Sequence, residues 1–188
     1  WILSDSDAGL TGYQQGPQGV KKIFAPKVDV RLPDGKGFKA AVLRRDEATD
    51  SSILRIEGAV GPGLRCVRPG DSQALKVGSW AMLCGNAFGL SKEGKPSVSL
   101  GVVAALYDGR IVTTAGANQG SNGGPCVDVE GGLVGIISGR GMDRTSPWFG
   151  MGLVTPLHRI RECYKDLPDF SKLFGDLRPG AKNARWAP

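Results

Sequence analysis

Histidine is almost missing from this chain, whose 188 residues include only His158. Imidazole is the usual side chain for proton transfer near neutral pH, so any mechanism that needs a histidine base has one position to draw on. Cysteine is sparse as well. Cys66, Cys84, Cys126 and Cys163 lie far apart with none of the CxxC spacing of a zinc site, so no metal and no other cofactor is expected. Cys84 and Cys126 fall in apolar runs, where a thiol behaves as a small buried hydrophobe, and the four are read as reduced. No apolar run approaches the roughly 18 residues of a membrane span. The net charge of +6 and the isoelectric point near 9.3 favour acidic partners. The basic residues are dispersed, however, with no run of five and no interleaved aromatics, so no dedicated nucleic-acid binding is expected. The chain opens at Trp1 without an initiator Met or the pattern of a signal peptide, and an upstream segment is expected to have been removed or left out. Repeats and low-complexity segments are absent.

What is present is glycine and proline, 29 and 12 respectively, scattered without period among a 40% hydrophobic composition. That pattern predicts an all-β fold of short strands and tight turns. Strands are expected near 1–4, 27–32, 38–44, 52–57, 79–84, 98–106, 110–114, 125–129, 133–138 and 149–154. Val28, Val30 and Leu32 alternate with Asp29 and Arg31 before the turn Pro33-Asp34-Gly35, as a half-buried strand entering a hairpin does. The Gly/Pro-rich stretch before Gly70 reads as a junction, dividing the chain into a first barrel over 1–58, a linker over 59–70, a second barrel with helix over 71–167 and a tail over 168–188. After Thr155 a proline precedes Leu157, Ile160, Cys163 and Tyr164, a spacing that predicts one amphipathic helix near 156–166.

Four segments carry chemistry. Gly120-Ser121-Asn122-Gly123-Gly124-Pro125 is followed by two apolar strands. Asp46-Glu47-Ala48-Thr49-Asp50 enters another. Gly85-Asn86-Ala87-Phe88-Gly89 follows a strand, and the chain begins Trp1-Ile2-Leu3-Ser4-Asp5-Ser6-Asp7. Together they resemble the HtrA/Deg family of trypsin-like serine proteases, where Asn-Pro-Gly-Asn-Ser-Gly-Gly-Pro surrounds the nucleophile, Asp-x-x-Thr-Asp carries the triad aspartate, and Thr-Asn-x-His ends the strand that carries the base. The resemblance spans residues 1 to 165 and includes no PDZ domain; the family's first strands, which precede the Trp1 segment, have no counterpart. It implies a double antiparallel β-barrel with a short C-terminal helix, and suggests a periplasmic or secreted setting.

Matched position by position, the triad is degenerate. Asp7 stands at the histidine position, Asp50 at the aspartate position and Asn122 at the serine position, with Ser121 one place early. An amide is a very poor nucleophile, and an unperturbed carboxylate is a weak base at neutral pH. The resemblance puts His158 on a helix away from the cleft. Backbone N–H groups of Gly120 and Asn122 would form the oxyanion pocket whatever the side chains, and Ile137, Ser138 and Gly139 would line the edge that pairs with peptide. The expected function is therefore that of a catalytically inactive homologue that binds a peptide or protein partner in its cleft. Two alternatives compete with it: an active endopeptidase using Ser121 with an unconventional base such as Asp7 or a lysine, and a purely structural domain. If Asp7 and Asp50 faced each other closely, they could share a proton as an acid dyad.

Overall fold

The computed structural model describes residues 2–17, 19–32, 34–58, 66–90, 95–138, 150–168 and 170. Trp1, Gly139 and the segments 59–65, 140–149 and 171–188 lie outside the described residues, so what the sequence suggests for them is left there.

Two antiparallel sheet systems face each other. The first runs in the order β1 (Ile2–Ser4), β6 (Ser51–Ile56), β5 (Gly37–Asp46), β4 (Lys27–Arg31). The expected β4–β5 hairpin forms in register, with Val30 opposite Phe38 and Val28 opposite Ala40. The second system closes on itself: β8 (Trp80–Gly85), β9 (Ser97–Tyr107), β10 (Arg110–Thr113), β13 (Gly152–Pro156), β12 (Gly132–Ile137) and β11 (Pro125–Val127) form a barrel, because β11 pairs with both β12 and β8. The all-β architecture of one closed barrel and one half-barrel is the trypsin-like double barrel expected from the sequence.

Every strand expected from the sequence has a counterpart, and three further strands were not expected. β2 (Leu10–Gly16) and β3 (Gly19–Phe24) form a separate two-stranded sheet, and β7 (Arg68–Pro69), within the stretch read as linker, pairs parallel with β12. The helix α1 (Leu157–Tyr164) is shorter than expected, with Pro156 outside it as its N-cap.

Inside the closed barrel Leu83, Val103, Ile111, Val134, Ile137 and Val154 pack together. A second cluster of Ile53, Ile136, Ile160, Tyr164 and Phe170 lies where the first sheet, β12 and α1 meet. Each such aliphatic side chain contributes roughly 1.5–3 kcal/mol by leaving water, so α1 acts as a wedge that binds the two halves. Polar contacts follow the same seam. Tyr164 Oη donates to the Ser51 carbonyl at 2.8 Å, Thr155 Oγ1 donates to the Thr49 carbonyl at 2.8 Å, and Arg110 reaches Ser138 Oγ at 2.7 Å and Thr155 Oγ1 at 3.0 Å.

Candidate active-site cleft

The corner that should hold the base is built by the turn after β1. Leu10 N donates to Asp7 O at 2.9 Å and Ser52 Oγ to Asp5 O at 2.7 Å, fixing the turn against β6. Asp50, buried and held at φ 48°, closes the loop between β5 and β6. Its carboxylate accepts a hydrogen bond from Ser6 Oγ at 2.5 Å, and Ser6 is itself buried. Asp7 turns outward instead, where its carboxylate receives Lys22 Nζ at 2.6 Å with both side chains exposed. Asp7 and Asp50 thus have different partners, and the acid dyad that would need them face to face does not form.

Beside them, the Asp5 carboxyl is shifted. Burial raises it above the usual carboxylate range, and the charges of Asp50 and Asp7 push in the same direction. Motif spacing alone points to Asp7, the position after them, and does not single out Asp5 or Ser6.

The glycine-rich turn sits directly against this corner. A β-carbon at Gly123 (φ 77°) would come within 2.7 Å of Ser4 Oγ and 2.8 Å of Asp5 N, and one at Gly120 (φ 89°) within 2.4 Å of the Asn86 carbonyl oxygen. Only glycine allows both the left-handed backbone and these approaches. Within the turn, Ser121 N donates to Asn118 O, Gly123 N to Ile137 O and Gly124 N to Ser121 O. Among the described residues no group accepts the N–H of Gly120 or Asn122. Asn122 is exposed, whereas Ser121 is only 6% exposed and lines a small cavity of about 70 Å³ with Cys84, Gly85, Ser97, Asn118 and Ile137.

On the neighbouring edge, Ile137 N donates to Gly124 O at 2.8 Å and Ser138 N to Leu153 O at 2.9 Å. The Ile137 backbone is therefore fully engaged in holding the turn. Gly139 lies outside the described residues.

His158 is elsewhere. Its Nδ1 lies 2.9 Å from Ser72 Oγ, which also accepts the His158 backbone N–H at 3.0 Å, so Ser72 caps the start of α1 from a distant loop. Burial, followed by the charge of Arg159, lowers this imidazole below its ordinary value. All four cysteines are unbridged, and among the described residues no three His, Cys, Asp or Glu side chains gather closely enough to hold a metal ion.

Comparison with known proteins places these features. A model described as the trypsin-like peptidase domain matches residues 7–136. The periplasmic serine endoprotease DegP of Salmonella typhimurium is 34% identical over 158 residues, 79% of this chain and 32% of that protein. A probable periplasmic serine endoprotease, DegP-like, of Chlamydia pneumoniae is 33% identical over 143 residues, 69% of this chain and 27% of that one. The chain therefore spans about a third of the length of the curated relatives it matches. Among solved structures, that of the HtrA-type protease AlgW with a decapeptide superposes with a TM-score of 0.67 at 25% identity, over 87% of this chain and 46% of that one.

Proposed function

Because the chain belongs to the trypsin-like peptidase domain family, with HtrA/Deg relatives, we propose that it is a non-hydrolysing member that holds an extended peptide in the family's cleft. One observation carries the reading: the Asp50 carboxylate, which in a working triad would orient an imidazole, accepts a hydrogen bond from Ser6 Oγ at 2.5 Å and has no imidazole beside it. The chain's single imidazole is committed to Ser72, and Asn122 stands at the nucleophile position. On this reading no imidazole stands beside Asp50 to take a proton from an attacking hydroxyl. Binding does not need one. The N–H groups of Gly120 and Asn122 are assigned here to a peptide carbonyl or carboxylate, since backbone donors survive side-chain replacement. That a related structure was solved with a decapeptide supports peptide as the ligand class.

The relatives' names as serine endoproteases favour a second reading, turnover through Ser121. The burial of Ser121 weighs against it. A fluorophosphonate probe decides between the two, because it labels an activated serine irreversibly. No labelling of the folded chain, alongside binding of unstructured decapeptides, is the expected result; labelling that disappears in Ser121→Ala would establish the second reading instead.

A further inference from the structure

The outer surface of the closed barrel carries an apolar face that no described element covers. On it β11, β8 and β9 are neighbours, with Val127 opposite Met82 and Met82 opposite Leu100. Leu83 and Cys126 point into the core, so by the alternation of a strand Trp80, Met82 and Leu100 point out. Trp80 is 54% exposed, Leu100 63%, and Val129, in the turn after β11, 80%. Together with Asp128 these side chains line a groove of about 280 Å³, room for one indole. Apolar surface gathered in a concave patch of this kind marks a contact site.

One edge of the groove is charged. Asp128 Oδ1 accepts the N–H groups of Glu130 at 2.9 Å and Gly132 at 2.8 Å, which fixes the carboxylate in place, and no ion pair among the described residues uses it. An occupant with an apolar body beside a cationic group therefore complements both parts of the groove. The groove also stands apart from the cleft. It opens at the Trp80 end of β8, whereas Gly85, about 17 Å along the strand, meets the Ser121 turn. Its occupancy does not depend on the peptide-binding reading above.

We infer that the occupant is this chain's own segment 171–188, with the Trp186 indole in the groove and Arg185 toward Asp128. That segment holds Lys172, Arg178, Lys182 and Arg185 against the single acid Asp176, so its charge complements the carboxylate. Its reach is sufficient. Phe170, from which the segment leaves, packs with Ile136 on β12. Four strand residues, about 13 Å, separate Ile136 from Gly132, whose carbonyl accepts the Asp128 N–H at 2.9 Å. β8 lies two strands from β12, about 10 Å across the sheet. The sixteen steps from residue 170 to residue 186 extend up to about 53–58 Å. Leu173 and Phe174, three and four steps out, reach only about 10–14 Å and fall short of the Trp80 strand. Leu177 can reach it, but brings less apolar area than an indole.

Two experiments on the full chain test this. With photoreactive benzoylphenylalanine in place of Trp186, irradiation should crosslink position 186, within one molecule, to the stretches 80–82, 98–102 or 127–130. Crosslinks only elsewhere in the same chain, or none, overturn the assignment. Crosslinks to those stretches between two chains, seen as a doubled mass that rises with concentration, overturn it in favour of a second copy. The other experiment reads binding by fluorescence anisotropy, using a labelled, C-terminally amidated peptide of residues 178–188. The Trp186→Ala chain, its groove vacated, should bind this peptide at least about tenfold more tightly than the unmodified chain, whose own segment competes at high effective concentration. Added to Trp186→Ala, Leu100→Thr keeps a strand-forming residue at an exposed position and should weaken binding about tenfold. Asp128→Asn, which keeps the acceptor in its turn, should weaken it about twofold to fivefold, a loss that shrinks at high salt. No binding to the Trp186→Ala chain, equal binding with and without Trp186, or binding indifferent to Leu100→Thr would each refute the docking.

Discussion

Ser6 Oγ and the buried Asp50 carboxylate, 44 residues apart in sequence, are joined by a 2.5 Å hydrogen bond. A serine in this place gives a buried carboxylate the donor that an imidazole would otherwise supply. The bond stabilises the corner.

Ser6→Ala removes that donor and leaves Asp50 short of a partner. A hydrogen bond to a charged buried group is worth about 1.5–3 kcal/mol, so denaturant unfolding should show a loss in that range. Ser121→Ala, which deletes no described hydrogen bond, should cost less. Equal losses would show that Asp50 is satisfied by water once Ser6 is gone.

Restoring catalysis needs more than one residue. Asn122→Ser alone and Asp7→His alone should both stay inactive toward casein and small esters, because triad members act as a unit. Asp7→His/Asn122→Ser should stay inactive as well, because position 7 faces Lys22 while position 6 faces Asp50. Activity in any of these variants would contradict this.

Two groups give opposite responses to pH. The Asp5 carboxyl is raised in the folded chain by burial and by its neighbours Asp50 and Asp7, so its ionised form opposes folding. Asp5→Asn should raise the melting temperature at pH 7, with the gain shrinking as pH falls through the raised value and gone below the ordinary value of 3.8. His158 is lowered, chiefly by burial. Its contribution is complete above its ordinary value of 6.5 and is lost as pH falls below it. His158→Gln should flatten that part of the stability profile, seen by calorimetry between pH 5 and 8.

Thiol reactivity should rank by burial. Cys66 is exposed, while Cys126 is buried with its thiol pushed up to about 12 by desolvation first and by Cys84 and Asp128 after it. The thiolate is the reactive form, so Ellman's reagent should modify Cys66 rapidly in the folded chain and Cys126 only on unfolding.

The barrel strands were legible because each has at least one buried face. Val28 and Val30 alternate with charged neighbours, and the run Leu133 to Ile137 is apolar throughout because both its faces are covered. The β2–β3 hairpin was illegible for the converse reason. Gly12, Gln14, Gln15 and Gly16 sit on a ribbon exposed on both sides, and without a buried face the period-two signal never arises. Lys22 could not be found as the partner of Asp7 without that hairpin. The positions Asp7, Asp50 and Asn122 could be named from motif spacing, but spacing carries no side-chain direction: Asp7 faces outward to Lys22, and its neighbour Ser6 faces Asp50.

Tyr164, at the end of α1, holds Ser51 across 113 residues of sequence, and Thr155 holds Thr49 across 106. The loop that presents Asp50 is thus fastened by residues translated long after it. During synthesis the first sheet emerges before the residues that fasten that loop, which is held from β13 and α1 only after both have been made. Such long-range closure makes folding slow, and a ribosome-bound or C-terminally truncated chain that lacks α1 has the Asp50 loop without its Tyr164 fastening.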